Sequence, residues 1–341
     1  MRNWLVAMAT LTLALPAGGT AHAVDDAMPA WAYGFAAPPP PGTPQAPPNP
    51  AQVLDNVALH TLPGSKLSFT RAQIANRYGP ADWFPEDHPS MPDIVARGRE
   101  ASQPTIYACS LCHYPNGKGR PENANITGLT YEYFLQQLTD FRNGARKTSD
   151  PRKPNTQLMT AFAKAMTDEE IVAAARYFTA IPASPWIKVV ESATVPKTKP
   201  NNGMMLPLQG ADAGSEPIGA RIIETPENPH ETEFLRNSRS GFIAYVPPGS
   251  LAKGEALVMT GQTSSGAKVT ACIACHGGDL RELGPVPPLA GRSPSYAARQ
   301  LYDMQRGNRN GTWTPLMAAI VAGLGPDDLL NAAAYLASLK P

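Results

Sequence analysis

Net charge is nearly absent from this chain: 29 lysines and arginines face 28 aspartates and glutamates, a formal +1. So even a balance makes no electrostatic case for nucleic acid or an anionic membrane surface as a partner. Cysteine is scarce as well. There are 4 in 341 residues, confined to two short runs, so none is left for a structural disulfide. Past the first few residues no stretch is long and apolar enough to cross a bilayer, which takes roughly 20 apolar residues in a row. Proline, by contrast, is abundant at 37 residues, about twice average usage, so much of the backbone is expected to be irregular. The length allows two ordinary domains and a linker.

The first residues read as an export signal. Arg2 is a short positive region, Trp4 to Leu15 an apolar one, and Ala21-His22-Ala23 puts small residues at a cleavage site. Pro16-Ala17-Gly18-Gly19 breaks the apolar run well short of a membrane span. Residues 1–23 are therefore expected to be removed, leaving no transmembrane segment, and the mature protein to be exported, in a bacterium to the periplasm.

The four cysteines are Cys109 and Cys112, followed by His113, and Cys272 and Cys275, followed by His276. A zinc site would bring two such pairs close together and would not need a histidine after each. A thioredoxin-like dithiol belongs in a strand-to-helix turn, and neither run has that setting. Covalent haem attachment uses all the fixed positions: one helical turn sets both sulfurs against one porphyrin edge, and the histidine follows as the proximal iron ligand. Each run is read as the anchor of one haem c, giving two per chain.

The same domain occurs twice. With Cys109 set on Cys272, Ile126 to Arg146 lies over Leu289 to Arg309 without a gap. Tyr133 then matches Tyr296, Gln137 matches Gln300, Asp140 matches Asp303, and Arg146 matches Arg309. Three main helices are expected per copy. The first starts at Pro92-Asp93 or Ser250, the second is capped by Thr130 or Ser293 and stopped at Gly144 or Gly307, and the third opens at Thr167-x-x-Glu170 or Gly325-Pro326-Asp327-Asp328. Gly98 and Gly254 are expected to let the first helix close on the last one near Tyr177 or Tyr335.

Between the second and third helices both copies carry a methionine, Met159 and Met317, each at the same distance before the apolar residue that ends the loop, Met166 or Leu324. A thioether is a soft ligand suited to the sixth iron position. Met159 and Met317 are therefore expected as the distal ligands opposite His113 and His276. Met166 is a rival in copy one only, and Met204, Met205 and Met304, unmatched, are expected to fill core gaps.

The arrangement resembles the dihaem c-type cytochromes built from tandem class I cytochrome c domains, as in cytochrome c4. The resemblance implies a mainly α fold, with a first cytochrome c domain over 92–182 and a second over 248–341; the residues between, 183–247, are read from their own pattern as an interdomain segment with short β-strands. It also implies that Pro287, in Pro287-Pro288-Leu289-Ala290-Gly291, accepts a hydrogen bond from His276 through its carbonyl. Copy one has Ala124 at that place, which makes the carry-over weaker there. The expected role is electron transfer without a substrate of its own, from a dehydrogenase or quinol-oxidising complex to a terminal oxidase or another cytochrome. The rival readings are a dihaem peroxidase and the cytochrome subunit of a stable dehydrogenase complex.

Residues 24–91 read as a proline-rich leader and N-terminal extension, with Ala37 to Pro50 a spacer and His60 and His88 as loop-surface residues. Arg142, Arg146, Lys147, Arg152 and Lys153 read as a solvated basic loop. Within 183–247, three runs alternate like strands: Trp186 to Val195, Ala220 to Thr225 and Gly241 to Val246.

Overall fold

The computed structural model describes residues 28–35, 57–281 and 283–341; the stretches read as an export signal and as a proline-rich spacer lie outside them. Among the described residues no helix is long and apolar enough to cross a membrane. The fold is mainly α. In chain order come α1 (Ala30–Tyr33), β1 (Leu59–Thr61), β2 (Ser68–Thr70), α2 (Arg71–Ile74), α3 (Asp93–Ala96), α4 (Cys109–His113), α5 (Tyr131–Arg142), α6 (Pro154–Ala165) and α7 (Asp168–Thr179). Seven short strands follow: β3 (Ile187–Glu191), β4 (Thr194–Pro196), β5 (Thr198–Asn201), β6 (Met204–Pro207), β7 (Ser215–Pro217), β8 (Ile223–Pro226) and β9 (Phe242–Val246). The chain ends in α8 (Ser250–Thr260), α9 (Ile273–His276), α10 (Pro294–Gln305), α11 (Thr314–Val321) and α12 (Pro326–Ser338).

Each copy thus has five helices in the same order, not three. The additions are the single turn that holds each Cys-x-x-Cys-His run and the helix that holds each methionine, so Met159 and Met317 sit on α6 and α11 and not on loops. Proline in the first turn, Pro154 or Pro315, starts each of these helices with its φ already set. The long helices begin where their side chains satisfy orphan N–H groups. Thr130 and Ser293 accept from Tyr133 N and Tyr296 N, both at 3.2 Å. Thr167 and Glu170 form a reciprocal capping box, and Gly325 N donates to Asp328 Oδ2 at 3.0 Å.

The two first helices differ. In copy two Gly254 lies where α8 meets α12, and a Cβ there would stand 2.1 Å from Asn331 O and 2.6 Å from Tyr335 Cβ. Gly98 does something else: at φ +64 it ends the four-residue α3, and its close neighbour is the backbone of Ile106 to Ala108, not α7. The first domain packs around Ile94, Val95, Phe134, Leu138, Ile171 and Phe178. The second packs around Leu257, Val258, Ala298, Leu329 and Ala333, and takes in Ala32 and Tyr33 from α1 with Ala244 and Val246 from β9.

The interdomain segment carries a three-stranded sheet in the order β3-β9-β8, with β3 parallel and β8 antiparallel to β9. These strands are the three runs that alternate in the sequence. β3 lies on α12, and Trp186 Nε1 donates to Gly291 O at 3.1 Å. β4 takes up the last two residues of the first run and pairs antiparallel with β7; β7 and the antiparallel pair β5-β6 have no such alternation.

Residues 57–91, the N-terminal extension, pack against the interdomain segment. Leu62, Ile74, Trp83 and Phe84 form a buried cluster with Leu235, and Trp83 Nε1 donates to Leu235 O at 2.7 Å. His88 and His60 accordingly are not surface residues. The His88 ring is bonded to Asp82 at 3.1 Å and lies edge-on to Tyr177, and His60 lies edge-on to Phe234.

Overpacking a tight helix crossing costs about 1–3 kcal/mol. Gly254→Ala is therefore expected to lower the unfolding free energy in urea by that much, through a lower midpoint at an unchanged m-value, whereas a change confined to noise would show that α8 and α12 can part freely.

Candidate functional site

The anchor turns are set by their neighbours. Ser110 Oγ, inside α4, donates to Val95 O on α3 at 2.8 Å. His113 Nδ1 lies 2.9 Å from Ala124 O, and His276 Nδ1 lies 2.8 Å from Pro287 O. Each ring therefore carries its proton on Nδ1 and leaves Nε2 as a free electron pair for a metal. Burial holds both imidazoles below the usual histidine range, against the help each gets from its carbonyl. Alanine in place of proline in copy one does not cost the bond, because the acceptor is main chain.

The thiols are unpaired. Burial pushes Cys109 up to about 12 and Cys272 up to about 11. A redox dithiol needs the opposite, a thiolate held low by its surroundings, so these are not activated cysteines.

Cys109, Cys112, His113, Met159, Cys272, Cys275, His276, Pro287 and Met317 all line one continuous cavity of about 500 Å³ that runs through both domains. Ile126, Phe134, Leu138 and Phe178 form its apolar walls in the first domain, Leu257, Val269, Leu301 and Val321 in the second. Met166 and Met304 also border it, the latter in spite of having no match in copy one. Met204 instead is buried against Trp186 and Phe242.

Where the two halves meet, the matched polar residues of the repeat exchange partners. Arg146 donates to Gln137 Oε1 in its own domain and to Tyr296 Oη and Gln300 Oε1 in the other, each at 2.9 Å. Arg309 returns the pattern, to Gln300 Oε1 at 3.1 Å, Tyr133 Oη at 2.5 Å and Gln137 Oε1 at 3.0 Å. Main-chain bonds run beside them, Lys147 N to Asn308 O and Asn310 N to Ala145 O, both 2.7 Å. Arg292, just ahead of α10, then ties that segment to the first domain through Asn125 O and Thr127 O, both at 2.9 Å. Arg299 bonds Pro121 O at 2.9 Å and Ala32 O at 2.7 Å, fixing the peptide that carries α1.

The basic stretch of copy one is thus largely structural. Arg146 is in the seam, Arg152 pairs with Asp150 at 2.7 Å, and Arg142 bonds Ala163 O and Met166 O at the end of α6. Lys153 is 4% exposed, and its Nζ has no hydrogen-bond partner. Burial, with Arg299 nearby, brings it down to about 7. Six cationic side chains line the cavity (Arg146, Lys147, Lys153, Arg292, Arg299, Arg309) against three carboxylates, Glu122, Asp140 and Asp303. An apolar cavity with free imidazole nitrogens, two free thiols beside each imidazole and surplus buried cations suits two flat hydrophobic groups that carry carboxylates at one edge. That is the chemistry of haem, so the residues fit the group. The seam was hidden in the sequence, although its members were matched in the repeat; polar positions repeated on one helix face were the signal.

A family model described as Cytochrome c matches residues 95–180. The chain is 36% identical over 72 residues to cytochrome c-554(548) of Halomonas halodenitrificans, spanning 21% of this chain and 87% of that protein. To cytochrome c4 of Stutzerimonas stutzeri it is 29% identical over 249 residues, 72% of this chain and 90% of that one. To the thiosulfate dehydrogenase electron acceptor of Stutzerimonas stutzeri it is 25% identical over 241 residues, 70% and 82% of the two chains.

Glu224 on β8 supports the start of α10. Its Oε2 accepts from Ser293 Oγ at 2.8 Å and from Ser295 N at 3.3 Å. Burial raises its carboxyl from the ordinary 4.5 to about 7. A carboxyl raised on folding costs stability as pH climbs, so folding should be strongest below about 4.5 on this account and weaken through about 7. Glu224→Gln should flatten that slope, recovering up to about 3 kcal/mol at pH 8. Urea titrations of both proteins at several pH values decide it; parallel curves would contradict it.

Proposed function

The chain belongs to the cytochrome c family, as a dihaem c-type cytochrome of tandem class I domains, and from that premise we propose that it is an exported electron carrier with no substrate of its own. The observation that supports this best is the one cavity lined by both Cys-x-x-Cys-His runs and both matched methionines. The haem group, when bound, supplies the one-electron change at iron.

The chain's own residues do the rest. Cys109 with Cys112, and Cys272 with Cys275, would each hold one haem c by thioether bonds. His113 and His276 would offer Nε2 to its metal, oriented by the Ala124 and Pro287 carbonyls. Met159 and Met317 would each offer a thioether, a soft ligand that favours ferrous iron. Arg146, Arg292, Arg299, Arg309 and Lys153 line the cavity and would meet the haem carboxylates, and the apolar walls would keep water out. An iron capped in this way would leave no place for peroxide, which argues against a peroxidase.

The signal-like first 23 residues support the periplasm as the site of action. Donor and acceptor are read by class: a dehydrogenase or quinol-oxidising complex on one side, an oxidase or another cytochrome on the other. The similarity to a thiosulfate dehydrogenase electron acceptor, over 82% of that protein's length, favours a dehydrogenase as donor.

The oxidised holoprotein is expected to show the weak far-red band of sulfur bound to ferric iron at the intensity of two haems. Met159→Ala and Met317→Ala should each remove one haem's share, while an alkaline pyridine assay still finds two haems per chain. A wild-type spectrum of five-coordinate iron, or turnover of hydrogen peroxide, would overturn the carrier reading.

A further inference from the structure

The two anchor loops match position for position, yet among the described residues only one is covered. In the first domain Tyr114, Asn116, Arg120 and Glu122 are at most 8% exposed. Of their counterparts in the second, Gly277 is half-buried, but Asp279 and Pro285 are exposed and Leu283, matched to Arg120, is 52% exposed. Cys275 is exposed where Cys112 is half-buried. The rim repeats the contrast, with Leu316 77% exposed and its counterpart Leu158 40%.

What covers the first loop is extra to the repeat. Asn116 Nδ2 donates to Ser238 O at 2.7 Å, Arg120 Nη1 pairs with Glu233 at 2.7 Å, and Arg236 donates to Leu111 O while lying over the Tyr114 ring. From the other side Ala108 N donates to Arg77 O at 2.9 Å. The two covering pieces are locked together by the Trp83–Leu235 bond and by Arg239, which reaches Asp87 at 2.6 Å and Glu86 at 3.0 Å. In the second domain the main-chain bonds of the matched loop, among the described residues, stay within it, as from Leu280 N to Gly277 O and Val286 N to Leu283 O.

We propose that residues 57–91 and 228–240 form a cap that closes the anchor edge of the first domain, so that electrons exchanged with other molecules pass at the open edge around Cys275. This rests on the reading that both runs hold haem. Buried polar bonds of this kind hold a cap firmly, since breaking one leaves a desolvated group unpaired. The first site then communicates with partners by way of the second, across the Arg146–Arg309 seam.

Access can be read without any turnover. A neutral gadolinium chelate added to the ferric holoprotein broadens haem methyl NMR signals according to their distance from solvent. The two sets, assigned with Met317→Ala, should differ several-fold, with the second domain's broadened more. The double variant Arg236→Ala, Arg239→Ala should bring the first set toward the second. Equal broadening in the wild type overturns the cap; finding only one set of haem methyls would instead overturn the dihaem reading.

A kinetic arm needs no loosened cap. Hexacyanoferrate(III) takes one electron from the ferrous protein and becomes hexacyanoferrate(II). At low salt a positive charge at the open edge, Ala274→Lys, should raise that rate constant several-fold, while Ala75→Lys, on the cap, should leave it near the wild type. An equal rise for Ala75→Lys would refute the proposal.

Discussion

Two guanidiniums that trade partners across a pseudo-twofold axis hold this molecule in its working form. Arg146 and Arg309 each bind a glutamine of their own domain and a tyrosine and glutamine of the other. Hydrogen bonds to a charged donor contribute about 1.5–3 kcal/mol each, and six of them converge on a strip also stitched by main chain. Burying two arginines side by side would be costly if nothing negative came near. The cavity that opens onto them is where carboxylates of the cofactor can supply that charge.

The rest of the fold serves that seam. α5 and α10 carry the tyrosines and glutamines on one face and core residues on the other. The sheet β3-β9-β8 braces α12 from behind, and Glu224 on β8 steadies the start of α10. Arg292 and Arg299 add the first domain's main chain and the α1 peptide to the same joint. Duplication puts one Cys-x-x-Cys-His run in each half, and both runs line one cavity.

Local features were legible in the residues. The anchors, the caps at Thr130, Ser293 and Thr167, and the three alternating runs depend on neighbours in sequence, so spacing reveals them. Gly254 was readable because a helix tolerates glycine at a cost that a close crossing repays. Gly98 was not, because its partner is the loop that follows it rather than the last helix. The cap over the first anchor was also hidden: Trp83 meets Leu235 across 152 positions, and no local pattern announces such a pairing. Lys153 and Arg146 looked like solvated charge for the same reason, since only the folded seam shows that water has left them.

The central claim is that the two metal sites share one cavity and are held at a fixed separation by the seam. Pulsed dipolar EPR on the fully oxidised holoprotein tests it directly. The account predicts a strong, narrowly distributed coupling between two low-spin ferric centres. Two independent signals, or a broad spread of separations, would contradict it.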